Sequence, residues 1–280
     1  MKQFITIIIL CCLLLPCVGW RGWGNSQHIY RPMTTTVTTT TTTTTTTQPP
    51  WTDPQAASLL AHYGASTNTS GWADDINGYT AVTNGVDRGY PYLMITNNVG
   101  GHTNYYMRFG NSPTYDCEFK LPSNVNLDIA GTVAMWMRPL DVGSLRGLWS
   151  EWNNDGYHQV DLRMDTSSRV YTTGYDQNDY QWSGGYAFGF TNGGWYHVAL
   201  TWSNNATGGA GAVLYINGTQ VWHDATVNMS ANAYNQLWLG AYNGGNNSFY
   251  GWLGDVRLYT KAIASNEVLD VYQHSWETIP

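Results

Sequence analysis

The sequence predicts an all-β protein, a two-sheet antiparallel β-sandwich of jelly-roll type with a short C-terminal helical turn. The chain has 280 residues with 30 glycines, 14 tryptophans and 20 tyrosines, and only 11% of it is charged. Aromatic side chains suit the half-buried faces of strands, and glycine suits the tight turns between them. Short segments of alternating polarity recur between Gly and Asn residues, which is typical of successive strands. Residues 51–280 are long enough for one large sandwich.

The first 19 residues have the pattern of a secretory signal peptide. Lys2 is followed by an almost wholly apolar run from Phe4 to Leu15, and Gly19 offers a small residue at the cleavage position. The apolar run is short for a membrane span of about 20 residues, so we expect no integral span in the mature chain. An uncleaved signal anchor is the alternative interpretation. The pattern predicts a secreted or cell-surface protein.

Residues 20–50 predict a disordered, Thr-rich stalk. Thr34–Thr47 is threonine apart from Val37, and Gln-Pro-Pro follows. Such a tract lacks the apolar side chains that a core needs. In a secreted chain it indicates an O-glycosylated stalk, with an unmodified linker as the alternative. The predicted organisation is therefore a signal peptide at 1–19, a stalk at 20–50 and a folded domain at 51–280.

Cysteine usage excludes an internal disulfide from the predicted domain. Three of the four cysteines fall within residues 1–19, and Cys117 alone remains. We expect Cys117 to be buried as a small apolar residue, although pairing between chains is the alternative.

Five Asn-x-Ser/Thr sequons are candidate glycosylation sites if the host glycosylates such motifs. They lie at Asn68, Asn205, Asn217, Asn228 and Asn246.

The charge distribution argues against a nucleic-acid partner. The formal net charge is −7, the pI is about 5.3, and no basic stripe is present. Binding to duplex nucleic acid requires Lys and Arg side chains that neutralise phosphates. We therefore expect no nucleic-acid partner.

The strongest local signals lie in the second half. Asn217-Gly218 between two apolar runs predicts a two-residue hairpin, because both central residues of a type I′ turn need positive φ. Ser265 and Glu267 predict the start of a helical turn or two, with an apolar side from Ile263, Val268, Leu269 and Tyr272. Strands are predicted at Thr132–Arg138, His158–Met164, Trp195–Trp202, Ala212–Ile216, Thr219–Trp222, Gln236–Leu239 and Gly251–Tyr259.

Four sequence blocks in this half occur in the order expected of one family. They are Gly-Thr-Val-Ala-Met-Trp-Met-Arg-Pro at 131–139, Trp-Tyr-His-Val-Ala-Leu-Thr at 195–201, Leu-Tyr-Ile-Asn-Gly at 214–218 and Gly-Trp-Leu-Gly-Asp-Val-Arg-Leu-Tyr at 251–259. With them, the chain resembles the laminin-G-like jelly-roll domains of the concanavalin A-like lectin/glucanase superfamily. Leu59–Tyr63 resembles the opening strand of that family, but the Phe-Asp that usually follows is absent.

The resemblance implies a Ca²⁺ site near the edge of the sandwich. Its candidate ligands are Asp255 on the last strand and Asp74 or Asp75 in the first loop. Ca²⁺ takes six to eight oxygen ligands, several of which can be backbone carbonyls. The alternative is that Asp255 holds a loop by hydrogen bonds without a metal.

Three segments combine aromatic residues with Asn and Asp, at 149–157, 175–182 and 242–250. Sugar rings stack on aromatic side chains while amides and carboxylates bind the hydroxyls, so these segments are the candidate ligand sites. The alternative is that the rings belong to the core. The candidate binding residues are Trp149, Trp152, Asn153, Asp155, Tyr157, Tyr180, Trp182, Tyr242 and Asn243.

The sequence does not support catalysis. Glycoside hydrolysis needs two carboxylates at a fixed separation. Hydrolases of the superfamily that the chain resembles usually carry them on one strand as Glu-x-Asp-x-x-Glu, and no such string occurs here. Glu151 and Asp155 are four residues apart, but Asn153–Gly156 is typical of a turn. His197 has no evident nucleophile and is predicted to be a structural residue.

The combined expectation is a secreted or cell-surface binding module, not an enzyme, that recognises carbohydrate through aromatic and Asn-rich loops. An extracellular protein-binding or adhesion module is the alternative. A diverged polysaccharide hydrolase or lyase is a third hypothesis.

Overall fold

The structure is a computed structural model of the full chain. It describes residues 53, 55–64, 71–73, 76–84, 94–99, 102–110, 118–123, 125, 127, 129–152, 160–175, 181–204, 211–227, 229, 236–242 and 247–275. Met1–Gln48 form one unit and Pro49–Pro280 another. The predicted signal peptide, the whole predicted stalk and Cys117 lie outside the described residues, so the domain boundaries stay predictions.

The described residues of the domain form sixteen strands and one α-helix, with a 3₁₀ turn at Ala56–Ser58 before the first strand. In chain order the strands are β1 (Leu59–Tyr63), β2 (Gly71–Ala73), β3 (Thr80–Asn84), β4 (Met94–Val99), β5 (His102–Phe109), β6 (Glu118–Lys120), β7 (Ala130–Pro139), β8 (Arg146–Trp152), β9 (Val160–Met164), β10 (Val170–Tyr175), β11 (Gln181–Tyr186), β12 (Tyr196–Ser203), β13 (Gly211–Ile216), β14 (Thr219–Asp224), β15 (Gln236–Leu239) and β16 (Gly251–Tyr259), followed by α1 (Ser265–Ser275).

The strands form two eight-stranded antiparallel sheets. We call the sheet that packs against α1 the helix-side sheet. It has the order β14-β13-β12-β7-β16-β5-β4, and β1 also pairs with β16. The second sheet has the order β11-β10-β9-β8-β15-β6-β3-β2. The predicted two-sheet antiparallel sandwich with a C-terminal helix is confirmed.

The core between the sheets is rich in large aromatic side chains. Trp72, Phe109 and Phe119 pack with ring centroids 5.5–6.4 Å apart. Trp182 of the second sheet stacks on Trp222 of the helix-side sheet, at 6.2 Å and an interplanar angle of 15°. Gly184 leaves room for this stack, since a Cβ there would lie 1.9 Å from the Trp222 ring. Aromatic rings from both sheets therefore meet between the sheets and fill the described part of the core by close packing.

The predicted strands of the second half are confirmed to within two residues at each end over the described residues. The predicted hairpin at Asn217-Gly218 is also confirmed, because Ile216 pairs with Thr219 and the two turn residues have φ of 49° and 72°.

The helix α1 is longer than the predicted turn or two, because it covers the outer face of the helix-side sheet. Val268 and Val271 pack there on Ala134 and Ala199. The prediction that Leu269 belongs to the apolar side is wrong, since Leu269 is 40% exposed. The buried stripe instead follows the three- and four-residue spacing of positions 268, 271 and 275.

Candidate functional site

The outer face of the second sheet carries the polar side chains that alternate with its core residues. Val160, Leu162 and Met164 of β9 point into the core, so Asp161 and Arg163 lie on the opposite face. Strand register then places side chains of neighbouring strands beside them. We call this surface the tyrosine face, formed by Ser150, Asp161, Arg163, Tyr171, Thr173, Tyr175, Gln181, Ser183, Gln236 and Tyr242.

Asp161 is the fully buried centre of the tyrosine face. Its carboxylate accepts hydrogen bonds from Arg163 Nη1 and from Thr173 Oγ1, its register partner on β10. Arg163 Nη1 also donates to Thr173 Oγ1 at 3.0 Å. Burial raises the pKa of Asp161 to about 6, and the opposing effects of Arg163 and Thr173 do not cancel it. Asp161 therefore fixes the guanidinium of Arg163 in one position.

The guanidinium of Arg163 lies close to two tyrosine rings. Its Cζ is 4.8 Å from the centroid of Tyr171 and 4.5 Å from that of Tyr242. Both distances are within the range of a cation–π contact. Tyr171 also contacts Arg169, whose Cζ is 5.3 Å from the same ring. Arg163 thus holds two half-buried rings on one surface.

The turn between β9 and β10 borders this arrangement. Asp165 accepts hydrogen bonds from the backbone N–H of Ser167 and of Arg169, and from Arg169 Nε at 2.7 Å. Burial alone would raise the pKa of Asp165, but these bonds lower it below its usual value. The turn therefore presents a bound carboxylate and a half-exposed guanidinium beside Tyr171.

The far side of the tyrosine face presents hydroxyl and amide groups. Gln181 and Ser183 of β11 are exposed, while Tyr175 and Gln236 are partly exposed. Tyrosine rings offer apolar faces, and the hydroxyl, amide and guanidinium groups offer hydrogen bonds. A surface of this kind can bind a ligand that has both CH faces and hydroxyls.

The predicted ligand residues fall into three groups. Trp149 and Trp182 lie in the core, where neither indole N–H has a hydrogen-bond partner among the described residues. Tyr242 lies on the tyrosine face beside Arg163. Trp152 ends β8, and its side chain is outside the described set, as are Asn153, Asp155, Tyr157, Tyr180 and Asn243.

Strand register shows where the three predicted loops attach. The segments 153–159 and 176–180 leave the same end of the second sheet, because Gly174 pairs with Val160 and Tyr175 with Gln181. Tyr242 follows the opposite end of β15, near the start of β8, where Gly240 N–H bonds to Leu148 O at 2.9 Å. The tyrosine face extends between these two ends.

Asp255 sits on the outer face of the other sheet, in a buried ion cluster. It has a φ of 46° at the irregularity between Gly254 and Arg257 of β16. Its Oδ1 is 2.6 Å from His62 Nε2, and Arg257 Nε lies 3.1 and 3.2 Å from its two oxygens. Arg257 Nη1 also binds Asp53 Oδ2 at 2.9 Å, which accepts a bond from Tyr259 as well. Burial opposes ionisation of Asp255, but Arg257 and His62 hold its pKa well below its usual value.

In this geometry Arg257 and His62 already bind the carboxylate of Asp255. Both carboxylate oxygens face a guanidinium, and a calcium ion there would have to displace Arg257 and His62. No three His, Cys, Asp or Glu side chains within the described part of the chain are placed to share a metal ion. Asp74 and Asp75 lie outside it, so the calcium site as a whole stays a prediction.

Asn217 is the one candidate glycosylation site that falls on described residues. It lies at the β13–β14 turn, and its Oδ1 accepts a hydrogen bond from His197 N–H at 2.9 Å. Asn68, Asn205, Asn228 and Asn246 lie outside the described residues. The structure therefore leaves all five as predictions.

Of the three residues weighed for catalysis, Asp155 lies outside the described residues, and the other two are buried. Glu151 is fully buried in β8, and His197 lies in β12 beneath Trp136 and Tyr272. Burial lowers the pKa of His197 to about 3, so it is neutral at pH 7.

Sequence reasoning missed Asp161, Arg163 and Tyr171. The signal was present, because alternation along the predicted strand 158–164 puts Val160, Leu162 and Met164 on one side. The other side of that strand therefore had to carry Asp161 and Arg163. The contact with Tyr242 had no local signal, since 79 residues of chain separate it from Arg163.

The sequence matches a family model over residues 91–269, described as the concanavalin A-like lectin/glucanases superfamily. The chain therefore belongs to that superfamily. The match covers the strands of the tyrosine face and ends within the first half of α1. No curated protein matches the sequence.

Solved structures of the same fold include carbohydrate- and receptor-binding domains. Domain 4 of an extracellular arabinanase from Geobacillus stearothermophilus, in complex with arabinotriose, superimposes with a TM-score of 0.58 at 17% identity, over 77% of this chain and 98% of that one. The receptor-binding domain of botulinum neurotoxin D gives 0.56 at 16% identity, over 79% and 53%. That of type G gives 0.53 at 17% identity, over 78% and 51%. The chain thus spans about half the length of the neurotoxin domains, and these likenesses show the fold alone.

None of the helices that the structure describes has the length and apolar character to cross a membrane.

Proposed function

We propose that this protein is a secreted, non-catalytic binding module that recognises carbohydrate on the tyrosine face. The observation that carries the proposal is the position of Arg163 beside the rings of Tyr171 and Tyr242, with its guanidinium fixed by buried Asp161. Fixed rings and fixed hydrogen-bond donors lose little conformational entropy when a ligand binds. The family of the chain and the arabinotriose complex of a structural neighbour support the same class of ligand.

A glycan array probed with the full chain tests the proposal, followed by calorimetric titration with the best glycan and with arabinotriose. We expect Tyr171→Ala to lower the affinity at least tenfold, about 1.4 kcal/mol. Leu269→Ala on α1 is the control, because Leu269 is exposed on the other side of the sandwich. A blank array, or equal affinities for the two variants, would contradict the proposal.

Protein binding is the second candidate function. Tyr186 and Phe188 are 42% and 39% exposed, and Phe188 packs on Phe190 and Tyr196 to form an aromatic patch after β11. Exposed aromatic patches are frequent at protein interfaces. Binding to a deglycosylated extracellular protein that Phe188→Ala abolishes and Tyr171→Ala leaves intact would favour this function.

Catalysis is the weakest of the three hypotheses. Glu151, the carboxylate weighed for hydrolysis, is fully buried. Release of reducing ends from a polysaccharide that Glu151→Gln abolishes would revive a hydrolase.

A further inference from the structure

A pocket of about 560 Å³ lies on the outer face of the helix-side sheet, on the opposite side of the sandwich from the tyrosine face. Its floor includes Thr201, Val213 and His223, from β12, β13 and β14. One wall is the segment that joins β16 to α1, with Lys261, Ile263 and Ser265. The volume falls within the range of about 300–1,000 Å³ that is usual for small-molecule sites.

Strand register and hydrogen bonds preform this pocket. Thr201 pairs with Val213 and Val213 with His223, so the three side chains form one row across the sheet. Thr132 Oγ1 donates to Lys261 O at 2.8 Å and accepts from Ile263 N–H at 3.1 Å, which anchors the wall. Tyr215 and Ser265 share a hydrogen bond of 2.9 Å between their hydroxyls. Little rearrangement is then needed before a ligand enters.

The charge of the lining is positive. Lys261 supplies this charge, and no carboxylate lines the pocket. Among the lysines and arginines that the structure describes, Lys261 is the one with neither a carboxylate within 4.0 Å nor an aromatic ring beneath it. The others pair with Asp53, Asp141, Asp161, Asp165 and Asp255 or lie over Tyr and Trp rings. An uncompensated lysine at the wall of a preformed pocket is suited to an anionic group.

We propose that this pocket binds a small ligand through a carboxylate that pairs with Lys261. Thr201 and Ser265 provide hydroxyl groups for hydrogen bonds, and Val213 and Ile263 contact the apolar part of the ligand. Lys261 supplies the charge that selects an acid over its neutral analogue. The site uses no residue of the tyrosine face, so it adds to the proposed function and does not depend on it.

Titration of the full chain with galacturonate, followed by NMR, tests this site. Galactose is the matched neutral probe, because it carries a CH₂OH group where galacturonate carries the carboxylate, and acetate is the simple acid. We expect galacturonate to shift the amide signals of residues 261–265 and of His223, with galactose at least tenfold weaker. We expect Lys261→Gln to lower the galacturonate affinity five- to tenfold. Lys120→Gln is the control, since Lys120 lies over Trp238 on the other sheet.

The titration with acetate shows which class of acid the site binds. Binding of both acids assigns the site to small organic acids in general, and binding of galacturonate alone assigns it to acidic sugars. Shifts only at residues other than 130, 201–223 and 261–265, equal affinity for galactose, an unchanged Lys261→Gln variant or no binding of either acid would overturn the proposal. Arabinotriose titrated into Lys261→Gln reports separately on the tyrosine face.

Discussion

Each outer face of this sandwich carries an aspartate–arginine pair on neighbouring outward positions of one strand, but the two pairs differ in how deeply the arginine is buried. On the helix-side sheet, Arg257 binds Asp255 and Asp53, and all three are buried. On the second sheet, Asp161 is buried, but Arg163 is partly exposed and contacts two half-buried tyrosines. The first pair is therefore part of the architecture, while the second presents a fixed cation and rings to a ligand.

The largest expected effect comes from breaking the buried cluster. Arg257→Ala leaves Asp255 and Asp53 buried without their shared cation, and the loss of one partner of a buried pair costs about 3–5 kcal/mol. Urea denaturation measures the loss, and we expect carbohydrate affinity at the tyrosine face to be unchanged.

Arg169→Ala is the matched control for this variant. Arg169 pairs with Asp165 across a turn and is 42% exposed, so its removal should have little effect on the free energy of unfolding. Similar losses in the free energy of unfolding for the two variants would contradict the prediction that the buried ion pair contributes more than the exposed one.

The two faces should also respond to pH with opposite signs. The pKa of Asp161 is raised from 3.8 to about 6. Its contribution to the free energy of unfolding is therefore complete below pH 4 and is lost as the pH rises through 6. The pKa of His197 is lowered from 6.5 to about 3, so the unfolded chain binds the proton first and stability is lost as the pH falls below 6.5. Each contribution amounts to roughly 2–3 kcal/mol between pH 4 and 6.

Urea denaturation between pH 4 and 7 separates the two contributions. In Asp161→Asn the remaining His197 should make stability rise with pH, and in His197→Gln the remaining Asp161 should make it fall. Parallel pH profiles for the two variants would contradict the assignment.

The smallest expected effect concerns calcium. Because Arg257 and His62 occupy the carboxylate of Asp255, we expect added Ca²⁺ or a chelator to leave the Tm unchanged. Scanning calorimetry with Asp255→Asn alongside the natural chain measures this. A Ca²⁺-dependent rise in Tm that is absent from the variant would instead support the predicted metal site.

Much of the second half could be predicted from local pattern. Alternation located β7, β9, β12, β13 and β16, and Asn217-Gly218 located the hairpin, because each depends on residues close in sequence. The roles of Trp149 and Trp182 could not be predicted, because a tryptophan beside Asn and Asp residues has the same local sequence whether it caps a loop or fills a core. The length of α1 depended on the apolar outer face of the helix-side sheet, which exists only after β7 and β12 pair.

The sequence by itself determined the fold class, the superfamily and the positions of the main strands, because alternation and turn chemistry are local. The tertiary structure decided which charged residues are buried in ion pairs and which can contact a ligand. Asp255 meets His62 across 193 residues and Arg163 meets Tyr242 across 79, and only strand pairing brings such groups together. The free cation at Lys261 likewise became visible only after the partners of the other described lysines and arginines were known.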